Sequence, residues 1–254
     1  TDAERAAAVE QARLPVRLGG MGLTSQESIL GPAWVGGWAL TWRPLQKLHA
    51  PFADVDIGAR DAATGEATLP VFVELHRAHT GLLARHAATD ADYKAFDRHL
   101  VDFTKDGEAH YRFHPKGLPP ANTLLPIAEF GSDSELLHSA QRRYSQIVHH
   151  SAWLVQHWRL CARTSLREAV RFIAVSQEQA GAFLNCVPMH QQFRVPTWAM
   201  RLQVQRRLGL PITAAPGREV SSKGKRLDPY GDRAQNDGRG GHSGRHREVL
   251  TCLV

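Results

Sequence analysis

Residues 134–160, SELLHSAQRRYSQIVHHSAWLVQHWRL, carry the clearest structural pattern in the chain. Apolar and aromatic side chains recur there at steps of three and four residues, the spacing of one face of an α-helix. The pattern predicts a long amphipathic helix with Ser134 as its N-cap. The residues on the apolar face are Leu137, Ala140, Tyr144, Ile147, Val148, Leu154, Val155 and Trp158.

Two more helices are predicted after this one. Residues 165–185 repeat the apolar spacing, and a third helix starts at Pro196 and stops at Gly209. Proline suits the first position of a helix and glycine suits the position just past its end. The short connections favour antiparallel packing of the three helices.

Helical and irregular segments alternate before residue 134. A short helix is predicted over 2–13, and a second one follows a cap at Thr24 or Ser25, with breaks possible at 31–32 or 36–37. Frequent Pro and Gly make 43–70 and 105–134 read as loops with short helical turns. Between these loops, two helical pieces are predicted over 71–88 and 90–104.

The tail from residue 214 to residue 247 differs in composition from the rest of the chain. Apolar residues are sparse, glycine is frequent, and eight Lys and Arg residues face four acidic ones. Such a segment buries too little apolar surface to offset the entropy lost on ordering, so a flexible basic tail is expected. The predicted fold is mainly α, an irregular helical bundle with a flexible, basic, Gly-rich C-terminal tail. Its predicted segments are 1–42, the loop-rich 43–134, a three-helix core at 135–213, and the tail at 214–254.

Overall composition limits the class of protein and its partners. Lys and Arg number 31 against 25 Asp and Glu, a net charge of +6, which favours a polyanionic partner. The three cysteines are far apart and form no disulfide pattern, which favours a reducing nuclear or cytoplasmic location and argues against secretion. No apolar run approaches the ~18–20 residues of a membrane span.

Four short segments resemble the region that follows the polymerase in non-long-terminal-repeat retrotransposons. They are LPVRLGGMGL at 14–23, AFLNCVP at 182–188, RLGLP at 207–211 and LDPYGD at 227–232, the last followed by an Arg-His pair at 245–246. The resemblance implies a C-terminal, post-polymerase fragment of a reverse transcriptase. The whole protein would then be an RNA-directed DNA polymerase, and this fragment would hold no catalytic centre.

The tail departs from the family pattern at its zinc ligands. The expected cysteines fall on Ser221, Lys223 and Asp237, and the expected histidine falls on Arg233. Charged Lys and Arg side chains have no lone pair to offer a metal. We therefore predict no zinc site, no other metal and no cofactor. The departure from the family pattern suggests either a decayed element or a lineage that has lost the metal.

The predicted function is support of the polymerase and contact with nucleic-acid backbone. Basic side chains on the last predicted helix and in the tail suit phosphate, which makes binding sequence-tolerant and salt-sensitive. The missing polymerase portion of the parent protein is the expected protein partner. The predicted nucleic-acid-binding residues are Arg194, Arg201, Arg206, Arg207, Lys223, Lys225, Arg226, Arg245 and Arg247.

Two alternatives remain open from the sequence. One is a helical protein-interaction module with no nucleic-acid role. The other is a hydrolase, which requires His149 or His150 to meet a carboxylate such as Glu129 or Asp133.

Overall fold

The protein, seen here as a computed structural model, is built of α-helices joined by 3-10 turns and irregular segments. The mainly α prediction is confirmed, and the only β pairing among the described residues is an isolated bridge between Arg60 and Ala67. The structure describes residues 2–101, 117–162, 166–177, 179–185, 195–212 and 229–230. The helices are α1 (Asp2–Arg13), α2 (Gln26–Leu48), α3 (Val73–Val101), α4 (Ala140–Cys161), α5 (Leu166–Val175), α6 (Ala182–Asn185) and α7 (Thr197–Arg207).

Helix α2 runs without a break through both positions where the sequence suggested one. Pro32 and Pro44 lie inside it, and it continues past residue 43, where a loop was expected. Each proline removes one backbone hydrogen bond, and this local cost is outweighed by packing of α2 against α3 and α4. The prediction of a break was therefore wrong.

Helix α3 is likewise one helix where two were predicted. Thr89 lies at the expected junction, and its hydroxyl donates to the carbonyl oxygen of Arg85 at 2.7 Å. This bond to the preceding turn satisfies the hydroxyl inside a helix, so a polar residue at this point does not end α3.

The predicted single helix over 165–185 is instead split. Helix α5 ends at Val175, and the chain continues through Gln179, which has a φ of 65°, before the short helix α6. Just past the end of α5, the buried Ser176 hydroxyl donates to the carbonyl oxygen of Phe172 and accepts from Trp153 Nε1, both at 2.8 Å, which joins this end of the helix to α4.

The start of α4 follows the predicted capping residue. Ser134 Oγ accepts a hydrogen bond from the Leu136 backbone N–H at 3.3 Å and so caps a 3-10 turn, Glu135–Ser139. The α-helix itself begins at Ala140. The cap is therefore present, and the first turns after it are wound more tightly than an α-helix.

The larger core lies between α2, α3 and α4. Its centre is aromatic: Trp42 and Phe72 are buried, with ring centroids 5.3 Å apart in an edge-to-face arrangement. Tyr144 of α4 donates to the carbonyl oxygen of Leu125 at 3.1 Å, and burial raises the pKa of Tyr144 to about 12. Because this core draws on residues from Val35 to Val148, it crosses the predicted segment limits at 42 and 134.

A smaller second core joins the other half of α4 to α5 and to the N-terminal segment. Trp153 and Phe172 are fully buried and stacked, with centroids 5.5 Å apart, and Leu18 is buried with them. Trp42 and Trp153 are each buried in one of the two cores, whereas Trp34 remains 45% exposed. Helix α4 therefore serves both cores.

Histidines on α3 fasten the irregular segments to the bundle. Three buried rings each donate from Nε2 to a backbone carbonyl oxygen, since a carbonyl can only accept. The pairs are His76 with Ile57 at 2.8 Å, His79 with Leu125 at 3.0 Å and His86 with Pro119 at 2.7 Å.

Candidate nucleic-acid interface

The Gly-rich segment 14–23 forms a tight turn against the end of α1. Gly19 has a φ of 82°, and a Cβ on Gly20 would lie 1.9 Å from the carbonyl oxygen of Leu14. Both positions therefore require glycine. Every backbone N–H from residue 18 to residue 23 bonds a carbonyl within α1 or the turn, so none is presented to a phosphate.

Arg207, at the end of α7, holds this turn from a distant part of the chain. Its side chain donates to Val16 O at 2.6 Å, Gly20 O at 3.0 Å and Ala180 O at 3.0 Å. The residue is only 3% exposed. Three carbonyl oxygens replace water around the buried guanidinium, which is the condition for burying a charge in a protein. Burial and the nearby Arg171 both lower the pKa of Arg207.

A buried glutamine joins the same three regions. Gln11 Nε2 donates to Gly19 O at 2.8 Å and to the backbone oxygen of Arg207 at 2.7 Å. Its Oε1 accepts from Arg171 Nη2 at 3.0 Å, and Arg171 also pairs with Glu168 at 2.8 Å. Burial lowers the pKa of Arg171, and Glu168 acts in the opposite direction. Helices α1, α5 and α7 are thus tied together by one polar network.

The described pair Pro229-Tyr230 reaches the same place. Ile212 N–H donates to Pro229 O at 2.7 Å, and the Arg167 guanidinium lies 3.9 Å above the centre of the Tyr230 ring. The Tyr230 hydroxyl donates to Glu4 Oε1 at 3.3 Å on α1. Residues of 14–23 and of 207–212 and the pair Pro229-Tyr230 are therefore linked through these contacts.

An open cleft of about 280 Å³ lies between α5 and α7 at this meeting point. Four guanidinium groups line it, and one carboxylate, Glu168, pairs with two of them. The net positive charge and the forked donors of arginine suit a phosphate or another oxyanion. We name this site the arginine cleft; its polar lining is Arg167, Arg171, Gln203, Arg206, Arg207 and Tyr230.

The predicted binding residues divide into four groups. Arg206 lines the arginine cleft and is half-buried. Arg201 is exposed on α7 but does not line the cleft. Arg207 was predicted as a phosphate contact on a helix face, and this is corrected: its guanidinium is buried and bonded to backbone carbonyls. Outside the described residues lie Arg194, Lys223, Lys225, Arg226, Arg245 and Arg247.

Sequence reasoning missed most of the residues that build the cleft. Arg167 and Arg171 stand one helical turn apart on α5, a spacing that could have marked a basic face. No comparable signal marks Gln11, because its role depends on contacts with residues far along the chain. Tyr230 lies inside the LDPYGD segment, yet the sequence did not single it out.

Two of the residues that the hydrolase alternative named, Asp133 and His150, have other partners in the fold. Asp133 pairs with Arg43. The His150 ring meets the Tyr93 hydroxyl, with 2.6 Å between Nδ1 and the oxygen. Within the described ranges, no cluster of three His, Cys, Asp or Glu side chains could hold a metal ion. Of the helices described, none is long and apolar enough to cross a membrane.

Comparison of the chain with protein-family models, with curated proteins and with solved structures gives no match.

Proposed function

We propose that this chain is a non-catalytic, post-polymerase region of a retrotransposon reverse transcriptase that binds nucleic-acid backbone. The observation that supports the proposal is the arginine cleft. Four arginines line it, and two of the segments that carry the family resemblance contribute to its lining, one through Arg207, Gly209 and Leu210 and the other through Tyr230. A positively charged cleft is what backbone binding by this region requires.

The arginines of the cleft have different parts in the proposed contact. Arg171 and Arg207 donate to Gln11, Glu168 or backbone carbonyls, so they contribute charge and shape. Arg167, which also pairs with Glu168, and Arg206 are half-buried at the cleft, less deeply than Arg207, and are the proposed direct phosphate contacts. Tyr230, under the Arg167 guanidinium, adds an aromatic surface of the kind on which bases of single strands stack.

The proposed partners are RNA or DNA backbone and the polymerase portion of the parent protein, in the nucleus or cytoplasm. The basic tail is proposed to add further phosphate contacts, so truncation at residue 214 would weaken binding. Contacts of this kind release counterions, and the logarithm of the affinity then falls linearly with the logarithm of the salt concentration.

The test is binding to single-stranded RNA and to duplex DNA across a salt series. An R167Q/R206Q variant should bind more weakly, with a salt slope smaller by about 1 for each phosphate that the variant no longer neutralises. The matched control is R77Q on α3, where the Arg77 side chain is 67% exposed and pairs with its neighbour Glu74. Wild-type binding that is absent at low salt, or that the cleft variant does not change, would refute the proposal.

A protein-interaction role remains the second candidate, favoured by one feature of α2. Leu30 and Trp34 lie one helical turn apart and are 69% and 45% exposed. Exposed large apolar side chains on one face can bind a protein partner. If nucleic acid does not bind and L30S/W34S abolishes association with the polymerase region, this second role holds instead.

A further inference from the structure

Helix α2 has one side that packs on the bundle and one side that faces outward. Val35, Ala39 and Trp42 are buried on the inner side, where α2 contacts α3 and α4. On the other side, apolar and small residues recur at steps of four and three residues along most of the helix. We name this surface the outer face of α2; its members are Leu30, Trp34, Gly37, Thr41, Pro44 and Leu48.

The large apolar side chains of this outer face are left to solvent. Leu30, Trp34 and Leu48 are all exposed, Leu48 by 76%. Thr41 brings no unmet donor to the surface, because its hydroxyl donates to the carbonyl oxygen of Gly37 at 2.8 Å within the helix. Apolar side chains at alternating steps of four and three residues are typical of a helix face that packs on another helix.

Gly37 lies at the middle of the outer face, and the packing of a single chain does not require glycine there. A Cβ on Gly37 would meet no other atom within 4 Å. Glycine inside a helix costs roughly 0.5–1 kcal/mol relative to alanine. A position without a side chain does, however, allow the backbone of a second helix to approach closely.

Two opposite charges lie at equal distances from Gly37 along the outer face. Glu27 lies ten residues before it and Lys47 ten residues after it, so each is about 15 Å away along the helix axis. Both residues are exposed, and neither joins an ion pair within the described part of the chain.

We propose that the outer face of α2 is the contact between two copies of this chain, with the two helices antiparallel and a two-fold axis beside Gly37. In this register each residue is level with the partner residue that lies equally far from Gly37 in the other direction. The same patch then serves both copies, as in the common two-fold dimers. The residues that come level are Leu30 with the partner's Pro44, Trp34 with the partner's Leu40, and Glu27 with the partner's Lys47.

The charge pattern is what favours a second copy as the occupant of this face. Antiparallel pairing brings opposite charges to both ends of the contact, whereas parallel pairing would bring Glu27 to the partner's Glu27. A different protein, such as the polymerase portion, would need no match between the two ends of α2. The inference does not depend on the proposed binding of nucleic acid.

Sedimentation equilibrium of the full chain tests the contact. The wild-type chain should show a reversible equilibrium between monomer and dimer. L30S/W34S should weaken dimerisation by about tenfold or more, because each copy loses two apolar side chains from the contact. V170S is the matched control and should leave the dimer unchanged, since Val170 is an exposed apolar residue on α5.

A pair of glycine variants tests the place where the helices cross. G37L should weaken dimerisation, because a side chain would hold the two backbones apart. G31L is its control and should leave the dimer unchanged. A Cβ on Gly31 also meets nothing within 4 Å, but six residues of helix turn this position away from Gly37.

Exchange of charges tests the antiparallel register. E27K alone and K47E alone should each weaken dimerisation several-fold, because like charges then meet at both ends of the contact. The double variant E27K/K47E should restore the dimer, and so should an equimolar mixture of the two single variants, since opposite charges meet again in both.

Three results would overturn the inference. They are a wild-type chain that stays monomeric up to about 0.1 mM, a dimer that L30S/W34S leaves intact, and a dimer that neither E27K nor K47E alters. If a monomeric chain instead binds the polymerase portion through Leu30 and Trp34, that portion is the occupant. R167Q/R206Q should dimerise as the wild type does, so the loss of nucleic-acid binding and the loss of the dimer are separate results.

Discussion

Arg207 is a charged residue with a structural role, because its buried guanidinium donates to backbone carbonyls. An R207M substitution would leave the carbonyl oxygens of Val16, Gly20 and Ala180 without this donor. We expect it to lower the free energy of unfolding by about 1–3 kcal/mol, the cost of buried polar groups left unsatisfied. Urea unfolding followed by circular dichroism measures this change.

Arg201 provides the control for Arg207, because it lies on the same helix but is exposed. R201M should change the free energy of unfolding by no more than about 0.5 kcal/mol, as is usual for surface substitutions. Equal effects of R201M and R207M would contradict the stabilising role of the Arg207 hydrogen bonds.

We expect His79 to make the stability of the fold depend on pH. Burial lowers its pKa below the ordinary 6.5, and the nearby His76 and Arg60 act in the same direction. As the pH falls below about 6.5, the unfolded chain takes up a proton before the folded chain does. Stability should therefore be fully present above pH 6.5 and should decrease below it, by at most about 1.4 kcal/mol per pH unit for this one group.

The comparison for His79 is H79Q, in which an amide can still donate to Leu125 O but does not titrate. Unfolding free energies between about pH 8 and pH 5 should fall less steeply in H79Q than in the wild type. Some slope should persist, because burial and Arg17 lower the pKa of His149 as well. Identical slopes in the two proteins would show that His79 is not the titrating group.

Two adjacent glycines on α2 show how closely this helix approaches α4. A Cβ on Gly36 would lie 2.4 Å from Gln141 Cβ, whereas a Cβ on Gly37 would meet nothing within 4 Å. We expect G36A to destabilise the protein by about 1–3 kcal/mol through overpacking. G37A should instead stabilise it by about 0.5–1 kcal/mol, the helix preference of alanine over glycine.

Thermal and urea unfolding of G36A and G37A measure both effects in the same helix. Because the two substitutions add the same atom at neighbouring positions, helix propensity cancels in the comparison. If G36A proved as stable as G37A, the close approach of α2 to α4 would be refuted.

How far the sequence predicts these elements depends on how local their causes are. Helix α1 was predicted over 2–13, as found, because caps and composition act within a few residues. The break expected near Pro32 failed, since packing against α3 and α4 is not visible locally. The arginine cleft could not be predicted either, because the bond from Gln11 to Arg207 joins positions 196 residues apart.

At the scale of the whole molecule, α4 makes the two cores depend on each other. Its first half packs Tyr144 and Ile147 into the larger core, and its second half packs Trp153 and Leu154 into the smaller one. A helix of 22 residues cannot lose one half without weakening the other. The molecule should therefore unfold in a single cooperative transition.

One substitution in each core tests this cooperativity. F72L in the larger core and F172L in the smaller one should each lower the same transition, by an amount on the order of 1–3 kcal/mol. The exposed Val170, also on α5, provides the control, and V170A should have little effect. Calorimetry that resolves two transitions, each sensitive to only one phenylalanine, would contradict the prediction that the two cores unfold together through α4.

The hydrogen bonds from Arg207 to the Gly-rich turn also have a consequence during synthesis of the chain. The turn is synthesised before the arginine that holds it, because Arg207 follows 191 residues after Val16. At roughly 5–20 residues per second, the nascent turn waits roughly 10–40 s for its partner. During that interval its carbonyl groups and the buried face of α1 are open to water and to chaperones. A chain whose synthesis ends before residue 207 therefore lacks the arginine that holds its Gly-rich turn.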